Sequence, residues 1–312
     1  MDIILDLADE YFFTPFVYPA SVPVDNVLRQ YVSFIAIICF GGSLLYLIPG
    51  ALSHYFLFDK SLRQHKRFIP NQEWLEIKYA LWSIPYMALP TACLFVLEVH
   101  GYSRLYDNID DHPWGIWFLI LTVPLFLFFT DMCIYWIHRW LHLPIFYGRF
   151  HKPHHRWIIC TPFASHAFHP VDGFSQSAPY HIYVFLFPMH RWLYLFLFVA
   201  VNIWSTSIHD ENYKVPALLQ PFINGSAHHT DHHIYFNYNY GQYFTLWDRL
   251  GGSFMHPTAY QPGKSVYDKL KNQLAGKPDA NPDEGRDPTD YVADYKSTGN
   301  KGTGVAASKK TE

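Results

Sequence analysis

Across 312 residues the chain is 50% hydrophobic and 19% aromatic, yet only 16% of it is Asp, Glu, Lys or Arg, against about 25% in an ordinary soluble domain. That depletion excludes a simple water-soluble globule, and with a net charge of −3 no nucleic-acid partner is expected. The cysteines Cys39, Cys93, Cys133 and Cys160 are scattered and imply no disulfide framework.

Residues 1–26 contain Asp2, Asp6, Asp9, Glu10 and Asp25 but no Lys or Arg, and they lack the basic start and short apolar core of a secretory signal. Residues 27–48, 79–99 and 114–136 then form three long apolar runs. About 20 such residues suffice to span a bilayer, so the spacing predicts three transmembrane helices. A fourth apolar region, 179–208, is interrupted by Pro188-Met189-His190-Arg191.

Charge orients these spans. Lys60, Arg63, Lys66 and Arg67 follow the first, Asp107, Asp110 and Asp111 outnumber Arg104 after the second, and Arg139, Arg149, Lys152 and Arg156 follow the third. Cytosolic connections carry the excess of Lys and Arg. Residues 1–26 are therefore expected to be a lumenal segment, and residues 59–78 and those beyond the third span to be cytosolic. Region 179–208 must enter and leave on one side, as a re-entrant or a spanning hairpin; because 179–187 is too short for a full crossing, the deep re-entrant form is preferred to two complete crossings. The sequon Asn224-Gly225-Ser226 then faces the cytosol and should stay unmodified.

The histidines beyond the third span carry the chemistry. His138 and His142 lie in HRWLH, His151, His154 and His155 in HKPHH, and His229, His232 and His233 in HTDHH. Residues three and four apart share a helix face, so each group can aim two or three imidazoles at one point. A single zinc takes four ligands; eight histidines point to two metals in a nitrogen-rich cage. HRWLH lacks the Glu that a zincin needs as general base, and imidazole suits Zn, Cu, Fe and Ni alike, so ligand type leaves the metal open. A redox cage at a membrane surface suits O₂ chemistry on an unactivated lipid C–H bond, which favours iron. Asp131, two turns before His138 on the same face, is expected either to orient a ligand histidine as a supporting carboxylate or to be a polar residue where the helix reaches the membrane interface.

The expected architecture is an all-α integral membrane protein, a transmembrane helix bundle with a cytosolic histidine-rich di-metal cap. Residues 1–26 form its lumenal segment, 27–113 the first two spans and their loops, and 114–257 the catalytic domain with the third span, the hairpin and the three histidine boxes. Residues 258–312 form a cytosolic, largely disordered tail, because the stretch from about Gly276 is rich in Pro, Asp, Gly, Lys, Ser and Thr and cannot bury a core. The tail ends in Lys309-Lys310-Thr311-Glu312, a dilysine pattern of the kind that returns proteins to the endoplasmic reticulum.

Residues 130–254 resemble the sterol C5-desaturase (lathosterol oxidase) branch of the fatty acid hydroxylase superfamily. TDMCIYWIHRWLH, HKPHHRW, IHDENY and HHTDHH carry the superfamily likeness, while TPFASHAFHPVDG and YFNYNYGQYFTLWDRLGG are specific to the branch. The resemblance implies a multi-pass, non-haem di-iron enzyme of the endoplasmic reticulum membrane, with lumenal N-terminus and cytosolic active site and C-terminus. It would use O₂ to place the C5–C6 double bond in a Δ7-sterol, drawing electrons from NAD(P)H through cytochrome b5 and its reductase. It also implies two Fe ions held by His138, His142, His151, His154, His155, His229, His232 and His233. His209 and His169, and less directly His166, are further ligands or supporting partners, and no catalytic residue is implied beyond this cage. His228 stays outside the ligand set.

Other readings are a sterol C4-methyl oxidase or lipid hydroxylase of the same superfamily, a metal transporter, or a non-catalytic sterol carrier. Transporters place ionisable residues along a path within the membrane, whereas these boxes lie beyond the ends of nearly uncharged spans.

Overall fold

The computed structural model describes residues 1–277 of the chain; Lys309 and Lys310 lie outside the described residues. A short helix, α1 (Asp2–Ala8), runs on through a wider turn at Asp9–Phe13 and buries Leu5 and Phe13. The long helix α2 (Val27–Phe56) starts where the Asn26 side chain accepts the Arg29 N–H at 3.0 Å, satisfying one of the unpaired donors at a helix start. It packs against α3 (Gln72–Leu97), which a π-turn extends through Glu98–Tyr102. A short connection bearing β1 (Leu105–Tyr106) leads to α4 (Gly115–Leu141), which passes the end of the third apolar run and carries His138 with it.

Next come α5 (Pro170–Leu186), the two-residue strand β2 (Met189–His190) and α6 (Arg191–Ile208). Three short helices complete the fold: α7 (Ser226–Tyr235), α8 (Leu246–Gly251) and α9 (Val266–Leu274). Among the described residues, α2, α3 with its extension, α4 and α6 are long and apolar enough to cross a membrane. Their outward faces fit that solvent: Phe40 and Trp117 are each 72% exposed, as a lipid-facing surface allows and a water-facing one resists.

Of the two hairpin forms that the sequence leaves open, the chain adopts the longer. The Arg104 N–H donates to the Val184 carbonyl at 2.7 Å, Met189 N–H donates to the Arg104 carbonyl at 3.3 Å, and β2 lies parallel to β1. Arg191 pairs with Asp107 at 2.9 Å and also meets Asp2. The turn between α5 and α6 therefore sits level with the N-terminal segment and the α3–α4 connection. The hairpin runs the height of the bundle instead of stopping part-way. Its first arm begins at Pro170, nine residues before the apolar run, and its 17 residues extend about 25 Å at 1.5 Å each. Hydropathy misses this start because Asp172, Ser175, Gln176 and Ser177 occupy the first two turns.

The region assigned to a tail also begins as folded structure. Thr258 binds the Asp231 carboxylate through its N–H and hydroxyl, each at 2.6 Å. Helix α9, closed by a capping box between Ser265 and Asp268, buries Val266 and Leu270 against Phe58, Leu62, Ile159 and Ile234. Asn224 of the sequon is buried, its Nδ2 donating to the Gly241 carbonyl at 2.6 Å, which withholds it from modification in the folded chain.

This arrangement is testable by labelling. In a chain whose four native cysteines are replaced, His112→Cys and Pro188→Cys are expected to react with a membrane-impermeant maleimide from the same side of sealed vesicles, and Lys264→Cys from the other. Labelling of the first two from opposite sides would contradict the full-height hairpin.

Candidate metal centre

All the boxes meet at the end of the bundle opposite the β1–β2 pair. The end of α4 supplies His138 and His142, the turn at Tyr147–His151 and the residues after it supply His151, His154 and His155, and α7 supplies His229, His232 and His233. The C-cap of α6 adds His209. These nine imidazoles form two sets: His138, His142, His151, His155 and His232 in one, His154, His209, His229 and His233 in the other. Within each set the ring nitrogens that face inward lie within 4.8 Å of one another.

The inward contacts join atoms of one kind. His138 Nε2 lies 3.1 Å from His151 Nε2, and His155 Nε2 lies 3.1 Å from both His142 Nε2 and His151 Nε2. In the second set His229 Nε2 stands 2.9 Å from His209 Nε2 and 3.1 Å from His233 Nε2. His232 Nε2 is buried with no hydrogen-bond partner. Several lone pairs converging on one point repel unless a cation joins them. Metal–imidazole bonds of about 2.0–2.1 Å set at right angles leave donors about 3 Å apart, the separation found here. The residues fit two nitrogen-ligated metal ions.

The outer ring nitrogens explain the aim. His138 Nδ1–H donates to the Tyr240 carbonyl at 2.9 Å, His232 Nδ1–H to that of Tyr238 at 2.7 Å, and His209 Nδ1–H to that of Ser205 at 2.7 Å. His151 Nδ1–H donates to Asp172 Oδ2 at 2.7 Å, both side chains being fully buried. Each acceptor keeps the proton on Nδ1 and turns the Nε2 lone pair inward. Burial, followed by the neighbouring imidazoles, holds His142, His154, His155, His229 and His233 well below the ordinary histidine pKa. Burial likewise pushes His209 down to about 4 and His232 to about 3. Neutral imidazole is the form that binds metal.

Two of those carbonyls come from one loop, and Asp131 acts there. Its Oδ1 accepts the N–H of Gln242 at 3.0 Å and of Tyr243 at 2.7 Å, and no contact joins it to a cage histidine. The expectation that it orients a ligand directly is corrected: a shared helix face fixes its side, and the 238–244 loop lies between. Asp248 secures the same loop, accepting from Tyr240 N–H at 2.8 Å and Gly241 N–H at 2.9 Å. A Cβ at Gly241 would approach the Phe244 carbonyl to 2.6 Å, so only glycine allows the loop to close this tightly.

Comparison with known proteins gives the family of the chain. Residues 123–253 match the fatty acid hydroxylase family. The chain is 57% identical to lathosterol oxidase of Mus musculus over 272 residues, covering 87% of this chain and 91% of the mouse protein. It is 54% identical to the Homo sapiens lathosterol oxidase over 277 residues, 89% of this chain and 92% of that protein. With the Δ7-sterol 5(6)-desaturase of Schizosaccharomyces pombe it shares 48% identity over 294 residues, 89% of this chain and 96% of the yeast protein. The chain belongs to the sterol C5-desaturase family. No solved structure matches it.

In this sterol C5-desaturase relative, the other histidines named from sequence sit apart from both sets. His169 caps α5, its Nδ1 accepting the Val171 N–H at 3.2 Å, and packs on Phe150. His166 faces a cavity and contacts Asn202 Oδ1 through Nε2 at 3.0 Å. His228 is buried outside the cage. Asp172 is the residue that sequence reading missed; an acidic residue in the first turn of a helix opening at HPVDG is its only signal. The carbonyls of Ser205, Tyr238 and Tyr240 leave no side-chain signal.

The cavity has a volume of about 470 Å³, within the range of small-molecule sites. It lies among α2, α3, α5 and α6, with walls such as Ile38, Ile84, Met87, Phe95 and Leu195. Its upper end meets the cage at Phe168, whose ring sits 4.4 Å from that of His154.

Asp172→Ala removes the carboxylate behind His151 and is expected to weaken metal affinity about 10- to 100-fold. A Co(II) titration of metal-stripped protein in detergent, followed by visible absorption, measures this. An unchanged affinity would show that the His151–Asp172 bond does not set the cage.

Proposed function

We propose that this chain introduces the C5–C6 double bond into a Δ7-sterol, the reaction named for its fission-yeast relative. The observation that carries the reading is an apolar cavity ending against a buried imidazole cage. In the overall reaction the sterol loses two hydrogens, and O₂ takes these with two further electrons and two protons to give two water molecules. Iron, two ions per chain, would supply the oxidising chemistry in the cage when bound.

The chain's own residues do the rest. Nine imidazoles would hold the ions, and Asp172 with the carbonyls of Ser205, Tyr238 and Tyr240 fixes the rings of His151, His209, His232 and His138 through their Nδ1 atoms. The cavity walls exclude water and hold the flat ring system with its reacting edge towards Phe168, so that orientation is set before reaction. The set as a whole favours desaturation of a buried lipid over transport, because Glu76 and Asp131 in the spans are committed to Thr161, Gln72 and the 242–243 backbone.

Within this reading the protein sits in the endoplasmic reticulum membrane, its N-terminus lumenal and its cage and C-terminus cytosolic. Electrons come from cytochrome b5 and its reductase on the cytosolic face, and Lys309-Lys310 serves as a retrieval signal. A yeast strain lacking its own C5-desaturase tests the activity. Expression of this chain is expected to restore Δ5,7-sterols by gas chromatography–mass spectrometry, and His151→Ala to abolish them. Persistent Δ7-sterols beside confirmed wild-type expression and a working host cytochrome b5 would contradict the assignment, and normal product from His151→Ala would contradict the cage.

A further inference from the structure

The cavity is nearly apolar, and most of its polar groups are spent on their own walls. Thr91 donates to the Met87 carbonyl at 2.9 Å and Ser177 to that of Phe174 at 3.1 Å. Gln176 Nε2 donates to Asp172 Oδ1 at 2.7 Å. Two groups on α6 differ. Asn202 Nδ2 donates to the Phe198 carbonyl at 2.6 Å, which can only accept, so the amide presents Oδ1 on its other side. There Oδ1 takes the Nε2–H of His166 at 3.0 Å, and a carbonyl oxygen has a second lone pair to offer. Ser205 Oγ reaches only the Ser165 carbonyl, at 3.5 Å, too long to satisfy a hydroxyl donor.

Asn202 and Ser205 are three residues apart and so share a face of α6; both line the cavity and are half-buried. His209 ends the same helix seven and four residues further on, about 10 and 6 Å along the axis. An unused acceptor and an unused donor thus stand one turn apart, in an apolar chamber, just below the cage. A single hydroxyl, which both gives and takes one hydrogen bond, matches them.

Resting on the sterol reading above, we infer that Asn202 and Ser205 bind the substrate's 3β-hydroxyl, Asn202 Oδ1 accepting its proton and the Ser205 hydroxyl donating to its oxygen. The chemistry of the substrate supports this placement. The hydroxyl-bearing carbon is two bonds from C5 and three from C6, so the hydroxyl must lie close to the reacting edge. The sterol side chain, at the opposite end of the molecule, then extends towards Ile4, Phe95 and Leu195. His166 braces the arrangement by fixing the Asn202 amide, which accounts for its place beside the cavity and outside the cage.

Binding of a tritiated Δ7-sterol to purified protein, competed by the unlabelled sterol or by its 3-deoxy analogue, tests this alongside diene formation. Wild-type protein is expected to prefer the alcohol on the order of 10- to 100-fold, since the analogue leaves two polar groups unpaired. Asn202→Leu and Ser205→Ala should each cut that preference several-fold, and either variant suffices if the other fails to accumulate. A preference kept in full by both variants, or absent from the wild type, overturns the assignment. So does a preference that collapses in Gln176→Ala alone, which would put the hydroxyl on α5. A wild-type protein that shows the preference, loses it in the variants and yet forms no Δ5,7-diene would support the hydroxyl site while refuting the reaction.

Discussion

Gathering like-facing imidazole nitrogens in a space without water is the constraint on which this structure depends. An unpaired buried polar group costs about 1–3 kcal/mol, and the inward nitrogens of nine histidines find only one another. The shell around them is built to hold that arrangement. Ser205, Tyr238, Tyr240 and Asp172 each take an Nδ1 proton, so the lone pairs of His209, His232, His138 and His151 have one direction left. The 238–244 loop is held in turn by Asp131 from α4 and Asp248 from α8, and it turns at Asn239 with φ of 57°, a left-handed conformation that Asn tolerates better than most residues.

The membrane-crossing helices serve the cage by their ends. Helix α4 continues past its apolar run to deliver His138, α6 stops at His209, and α5 opens with Asp172. Helices that reach the cage only by leaving the apolar layer place its chemistry at a boundary, with polar donors on one side and a lipid-sized chamber on the other. The full-height α5–α6 hairpin makes that chamber possible. A shallow hairpin would leave the space between α2, α3 and α6 open towards the opposite end, where Met1 and Ile4 now line it.

Much of this was legible in the sequence, where the signal lay in spacing. Histidines three and four apart announce convergence wherever a helix carries them; the 27–48 and 79–99 runs lie within α2 and extended α3, and the 114–136 run starts one residue before α4. Relations across the bundle were not legible. Asp131 lies on the face of His138, but its partner is a backbone 111 residues away. Asp172 lies 21 residues from His151 and reaches it only because α5 packs beside the turn at Tyr147–His151. Polar residues in the opening turns of α5 hid its start from hydropathy, since Asp172 faces the cage and Gln176 and Ser177 line the cavity. Helix α9 was hidden for the opposite reason: two apolar side chains, Val266 and Leu270, anchor it within a polar stretch.

On the reading proposed above, these nine histidines would hold two iron ions. Mössbauer spectroscopy of protein purified from cells grown on iron-57, with total metal measured on the same sample, addresses it most directly. Two irons per chain are expected, both in high-spin, nitrogen-rich sites. One iron per chain, or a full cage occupied by zinc with active protein, would contradict it.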